Sequence, residues 1–206
     1  MKKNNIHVNG FKMSWRKIKK KSTQNKNFPI TSFFEILEES KKMLKIGFRK
    51  LDVYEKGCFV GKYRWGRNKK IEWYFLGDMR RVLKKTFNNW DYIEMALNCI
   101  PPNGYTVEEK HYKNFFDYLK KGVHIKKGIS FATRLLCLKR PDVFVSVTKT
   151  NRPKLIELFG GTLTSSKSYW NFIKQVQNSK WYQEVPRKDD CYHYRMALLD
   201  VIAYKP

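Results

Sequence analysis

The chain is predicted to be a mainly α, multi-helix domain with a small β-hairpin or sheet near residues 50–76 and a basic N-terminal arm. Three observations lead there. Helix start and stop signals recur along the 206 residues, with capping boxes ahead of apolar stripes and Gly or Pro behind them. Alternating apolar residues are confined to one stretch in the first half. The first 27 residues hold nine Lys or Arg and no Asp or Glu, the composition of a flexible arm. The length suits one domain, residues 28–206, behind an arm of residues 1–27. At 42% hydrophobic and 16% aromatic residues, the chain has enough apolar surface for a core.

The arm contains Arg16-Lys17-Ile18-Lys19-Lys20-Lys21. It also contains Phe11, Met13, Trp15 and Ile18, which opens a second reading as an extension packed on the body. Ser32-Phe33-Phe34-Glu35 has capping-box spacing and predicts a helix to about Leu44. Cys58–Trp65 and the alternating Ile71, Trp73 and Phe75 flank Gly66-Arg67-Asn68-Lys69-Lys70, which predicts a basic β-hairpin. Asp78 is a candidate N-cap for a helix over Met79–Phe87, and Trp90–Cys99 forms the next, stopped by Pro101-Pro102-Asn103-Gly104. Thr106-Val107-Glu108-Glu109 opens a helix to about Lys120, with Gly122 past its end. A helix over Ile129–Leu138 ends at Arg140-Pro141, and Val143–Val147 is a short β-branched run. Asn151 and Pro153 start another helix, closed by Gly160-Gly161, and two more follow over about 167–178 and 190–203.

Charge narrows function more than any motif. The chain carries 43 Lys+Arg against 18 Asp+Glu, a formal net charge of +25. Such a protein attracts polyanions, and nucleic acid is the commonest one. An anionic membrane surface or another acidic partner are the alternatives. Outside the arm, 34 basic and 18 acidic residues remain, so +16 is built into the body. No run of about 18 apolar residues marks a membrane span. The expectation is an intracellular protein, cytoplasmic or nucleoid-associated, without membrane insertion. Cys58, Cys99, Cys137 and Cys191 form no CxxC pair, and His7, His111, His124 and His193 are scattered, so no metal site or cofactor is indicated. There is no Walker loop, no dinucleotide-binding glycine fingerprint and no nucleophile–base pair at a recognisable spacing.

Three segments concentrate cations suited to phosphates. Lys62–Lys70 interleaves them with aromatics, giving Arg64, Trp65, Arg67, Lys69 and Lys70 as candidate contacts to backbone and unpaired bases. If Tyr63 and Trp65 face inward, only the cations are exposed. Lys139 and Arg140, with Lys149, Asn151 and Arg152, flank the β-branched run. Asn151 there is either a helix N-cap or a reader of a base edge. Between two predicted helices lies His124–Gly128, whose Lys126, Lys127 and Gly128, with Ser130, form a loop and helix start that presents amides to a phosphate. An ordinary helix–turn–helix corner is the other reading.

This last segment, Lys126-Lys127-Gly128-Ile129-Ser130 followed by Ala132, Thr133, Leu135 and Leu136, resembles the helix-hairpin-helix DNA glycosylases over residues 105–160. Gly128-Ile129-Ser130 stands where that family has Gly-hydrophobic-Gly. The resemblance implies DNA rather than RNA as partner and excision of a flipped base. Where the family keeps an aspartate past the hairpin, this sequence has Thr148-Lys149-Thr150, and Asp142 comes earlier. The residues offered for catalysis are therefore Asp142 or Asn151 to position water and Lys149 as an amine nucleophile. A non-enzymatic nucleic-acid-binding subunit of a defence, repair or ribonucleoprotein assembly is the second expectation. A metal-dependent nuclease is the third, resting on Asp142 and Lys149, with Val147 where a second carboxylate is required.

Overall fold

The computed structural model describes residues 10–24, 30–64, 66, 72–77, 79, 90–123 and 129–204. Among them lie ten α-helices: α1 Trp15–Thr23, α2 Ile30–Ile46, α3 Val53–Phe59, α4 Trp90–Cys99, α5 Glu109–Gly122, α6 Ser130–Lys139, α7 Arg152–Phe159, α8 Ser166–Gln177, α9 Lys180–Glu184 and α10 Leu198–Ala203. The expected helix over Met79–Phe87 falls almost wholly outside the described residues. None of the described helices is long and apolar enough to cross a membrane.

Helix α6 is the centre of the core. Every residue from Phe131 to Leu138 is buried, so it has no solvent face to offer and is packed all round. Helix α2 lies against it through Phe33, Ile36, Leu37, Ser40 and Met43, one stripe at helical spacing. The Ser40 hydroxyl sits 2.8 Å from its own helix's Leu37 carbonyl and 3.2 Å from Leu138 in α6. Helix α2 already includes Ile30, so Ser32 is inside it and is not the expected N-cap. Helices α4 and α5 pack on each other, closely enough that a Cβ at Gly122 would meet the Cβ of Tyr92 at 2.3 Å. Helix α5 starts at Glu109, two residues later than the Thr106 capping box predicts. Its entry is tied instead by the Glu108 N–H donating to His111 Nδ1 at 3.1 Å.

The β-hairpin expected over residues 50–76 is corrected by the structure. No strand occurs among the described residues, and Glu72 makes only an isolated bridge. Asp52 caps α3 instead. Its Oδ1 accepts from the Tyr54 and Glu55 N–H groups at 2.7 and 2.8 Å, and the Glu55 carboxylate accepts from the Asp52 N–H at 2.9 Å. Beyond α3 the chain wraps around one side chain. Arg134 of α6, 0% exposed, donates to the carbonyls of Cys58, Phe59, Trp73 and Gly77 at 2.9–3.1 Å. Those carbonyls are satisfied by a guanidinium where a hairpin would satisfy them with a partner strand. Residues 65 and 67–71, most of the expected turn and the start of the second strand, lie outside the described residues, and the rest of that strand is a 3-10 turn at Trp73–Leu76.

The β-branched run behaves the same way. Residues 143–148 are buried without a partner strand among the described residues. Tyr169 donates its hydroxyl to the Val145 carbonyl at 2.7 Å and accepts from the Val145 N–H at 3.2 Å. Thr133 accepts from the Val147 N–H at 3.0 Å. Side chains of α6 and α8 thus replace a ladder. The last expected helix, 190–203, is reduced to α10, with a short 3-10 turn at Tyr192–Tyr194 ahead of it.

Of the two readings of the N-terminal segment, packing describes Gly10–Gln24. Met13, Trp15, Ile18 and Ser22 are buried, and α1 lies against α9 and α10. Trp15 stacks on Trp181 with centroids 6.2 Å apart and planes at 14°. Its Nε1 donates to Asp189 at 3.0 Å, and Lys19 pairs with the same carboxylate at 3.1 Å. Burial alone raises the Asp189 carboxyl. The hydrogen bonds from Trp15, the Cys191 N–H and Lys19 outweigh that and set it below the usual carboxylate range.

Candidate nucleic-acid interface

Docking of α1 fixes the direction of its charges. With Trp15, Ile18 and Ser22 turned inward, Arg16, Lys17, Lys20 and Lys21 are exposed. Positions 16, 17, 20 and 21 share one side of a helix, since residues four apart are neighbours. The helix carries no acidic residue, and among the described residues none of these four cations has an ion-pair partner. Elsewhere several helices pair cations with carboxylates of their own. Lys41 pairs with Glu38, Lys42 with Glu39, Lys113 with Glu109, Lys120 with Asp117, Lys154 with Glu157 and Lys180 with Glu184. The α1 face is set apart from that pattern. It keeps two like-charge pairs at i,i+4 (Arg16/Lys20 and Lys17/Lys21), each costing about 0.2–0.5 kcal/mol in an isolated helix.

The residues offered for catalysis fall into separate places. Asp142 is buried and closed onto Arg140, whose Nε and Nη2 each meet one carboxylate oxygen at 2.8 Å. The Arg140 Nη1 donates to the carbonyls of Pro101, Pro102 and Tyr105 at 2.9–3.0 Å, fastening the α4–α5 connection. Arg140, expected to contact phosphate, is thereby 3% exposed and occupied. Asn151 is also enclosed. Its Oδ1 accepts from the Thr148 N–H at 2.8 Å, and its Nδ2 donates to Ser146 O and to Asp200 Oδ1 at 2.8 and 2.5 Å. It stands ahead of α7, but its side chain makes no capping bond into that helix. Asp142 and Asn151 belong to different networks, and Lys149 is exposed between them in sequence.

Asp200 is a site that sequence reasoning misses. It is fully buried in α10, and burial raises its carboxyl to about 7 against the lowering influence of Asn151 and Arg134. Among the described residues its Oδ2 has no hydrogen-bond partner. Only its company identifies it, since in sequence it is one acidic residue in an apolar stripe.

The remaining candidates divide between surface and undescribed segments. Arg64 is exposed and pairs with Glu72 at 2.6 Å. Lys139 is half-buried, and burial together with the Arg140 charge lowers its pKa below the ordinary lysine value. Arg152 is half-buried with an unpartnered Nε, and Ser130 opens α6 half-buried. Trp65, Arg67, Lys69, Lys70, Lys126, Lys127 and Gly128 lie outside the described residues. The helices on either side of the expected hairpin, α5 and α6, are present. Among the described residues no cluster of three or more His, Cys, Asp or Glu is placed to hold a metal ion.

Comparisons with protein-family models, with curated proteins and with solved structures each gave no match.

Proposed function

We propose that the chain is a nucleic-acid-binding protein that engages the phosphate backbone through the exposed face of α1. The observation carrying this reading is the charge pattern of that helix. Four cations share one side without a carboxylate, on a helix pinned to the body by Trp15 and Asp189. A helix serving only the fold gains from mixed charges, as α2, α5, α7 and α9 have here. A fixed row of unpaired cations suits a regular polyanion, because each neutralised phosphate releases a counterion. Fixing the row in advance also removes an ordering cost at binding.

Binding without chemistry is the form of this reading that the geometry favours, since Asp142 and Asn151 are engaged within the fold. The resemblance to base-excising glycosylases extends the proposal to duplex DNA and to a modified base. Fluorescence anisotropy with labelled mixed-sequence duplex DNA and the matching RNA tests binding. The expected result is tighter DNA binding that weakens steeply between about 50 and 200 mM salt. Absence of binding at the lower salt, or affinity indifferent to salt, overturns it. Alkali-labile sites on duplexes carrying modified bases test excision separately.

A further inference from the structure

A cleft of about 290 Å³ opens between the connection preceding α5, the start of the buried extended run, the end of α8 and the segment around Tyr192. On its wall Arg195 is 9% exposed. Its guanidinium lies close to two rings, 4.4 Å from the Tyr182 centroid and 4.2 Å from that of Tyr192. Nη1 donates to the Tyr192 carbonyl at 2.8 Å and Nη2 to the Tyr182 hydroxyl at 3.1 Å. Among the described residues the buried Nε has no partner and no carboxylate pairs with this cation.

A buried cation without a counter-ion is costly, and two aromatic faces offset only part of that cost. The carboxylate on the same wall does not serve it, because Asp142 is closed onto Arg140. The wall adds a second cation, Lys174 in the last turn of α8, lying over the Trp170 ring at 5.1 Å. Gln177 comes three residues later on the same side of the helix, and it too lines the cleft. The lining is thus net positive. A planar guanidinium held against two rings is matched to the oxygens of a phosphate. Tyr105, on the opposite connection, is 67% exposed and gives the cleft a free aromatic ring. The volume sits at the lower end of small-ligand pockets, room for about one nucleotide.

We propose that this cleft binds a phosphate monoester of mononucleotide size, with its phosphate on Arg195 and Lys174 and its base against Tyr105. The ligand is either a free nucleoside monophosphate or the 5′-phosphorylated end of a nucleic-acid strand. The proposal does not depend on the α1 face, which lies on a different element.

Calorimetric titration of the full chain with AMP, with adenosine, and with a short oligonucleotide bearing either a 5′-phosphate or a 5′-hydroxyl tests it. Binding of AMP but not adenosine, with the strand ends indistinguishable, establishes the free nucleotide as ligand. Preference for the 5′-phosphorylated strand establishes the strand end. In either case Lys174→Ala weakens the phosphate-dependent binding roughly tenfold, the usual loss for one charge-assisted contact. Arg195→Gln removes it, with circular dichroism reporting its fold. Because Lys174 is exposed, its variant decides the matter if Arg195→Gln does not fold. Equal binding of AMP and adenosine without a 5′-phosphate preference, or phosphate binding untouched by Lys174→Ala, overturns the proposal. Replacing Arg16, Lys17, Lys20 and Lys21 by Ala is expected to leave AMP binding unchanged, which keeps failure of the cleft distinct from failure of the α1 face.

Discussion

At the scale of single residues, the least visible part of the structure is its buried charge. Arg134, Arg140, Asp142 and Asp200 are all enclosed, although composition alone assigns charged residues to the surface. Nothing in the spacing of Arg140 and Asp142 distinguishes a buried pair from two surface charges. Their meeting depends on the chain reversal after α6, which the sequence marks only by Pro141. Asp200 is the residue whose burial has a measurable signature. Its carboxyl is raised from the usual 3.8 to about 7, so the folded state holds its proton more tightly than the unfolded state. Its favourable contribution is then complete below the unfolded pKa and is lost as pH rises toward neutrality, a change on the order of 4 kcal/mol. Urea denaturation of the parent and Asp200→Asn between pH 4 and pH 7.5 checks this. The parent is expected to lose stability relative to the variant as pH rises; parallel curves contradict the assignment.

At the scale of elements, helices are legible wherever a cap or breaker coincides with an apolar stripe. Helix α4, stopped before Pro101-Pro102, and α8, capped by Ser165, obey that logic. The signal for α3 is present as Asp52-Val53-Tyr54-Glu55, but the aromatic alternation after it reads as strand. Two cues compete, and the deciding contribution comes from Arg134, seventy-odd residues away in sequence and beyond any local pattern. The same holds for Val143–Val147, where β-branched residues form an extended run whose polar groups are met by Tyr169 and Thr133. Arg134→Leu therefore tests what organises residues 58–77. Cys58 O keeps the Gly61 N–H, and the three orphaned carbonyls cost on the order of 1–3 kcal/mol each, so a total loss of at least about 3 kcal/mol is expected in denaturant unfolding. Amide exchange is expected to rise first in that segment. Loss under about 1 kcal/mol, with protection of 58–77 unchanged, would mean the wrap is held by its apolar contacts alone.

At the scale of the whole molecule, the net charge of +25 is redistributed by folding. Sequence clustering places the body's share at residues 62–70 and 121–154, and folding draws part of that share into the core as Arg134 and Arg140. The N-terminal segment moves the other way. Its composition is that of a flexible arm, yet Arg16, Lys17, Lys19, Lys20 and Lys21 stand on a helix whose inner side is a tryptophan stacked on another tryptophan. The candidate interface is accordingly a helix face packed on the body through Trp15, Ile18 and Ser22. The most direct test is the salt dependence of DNA binding, compared between the parent and the variant with Arg16, Lys17, Lys20 and Lys21 changed to Ala. Each phosphate contact contributes about 0.9 to the slope of log affinity against log salt. The α1 face accounts for binding if the variant, melting within a few degrees of the parent, loses about 3–4 from that slope. An unchanged slope at unchanged affinity contradicts it.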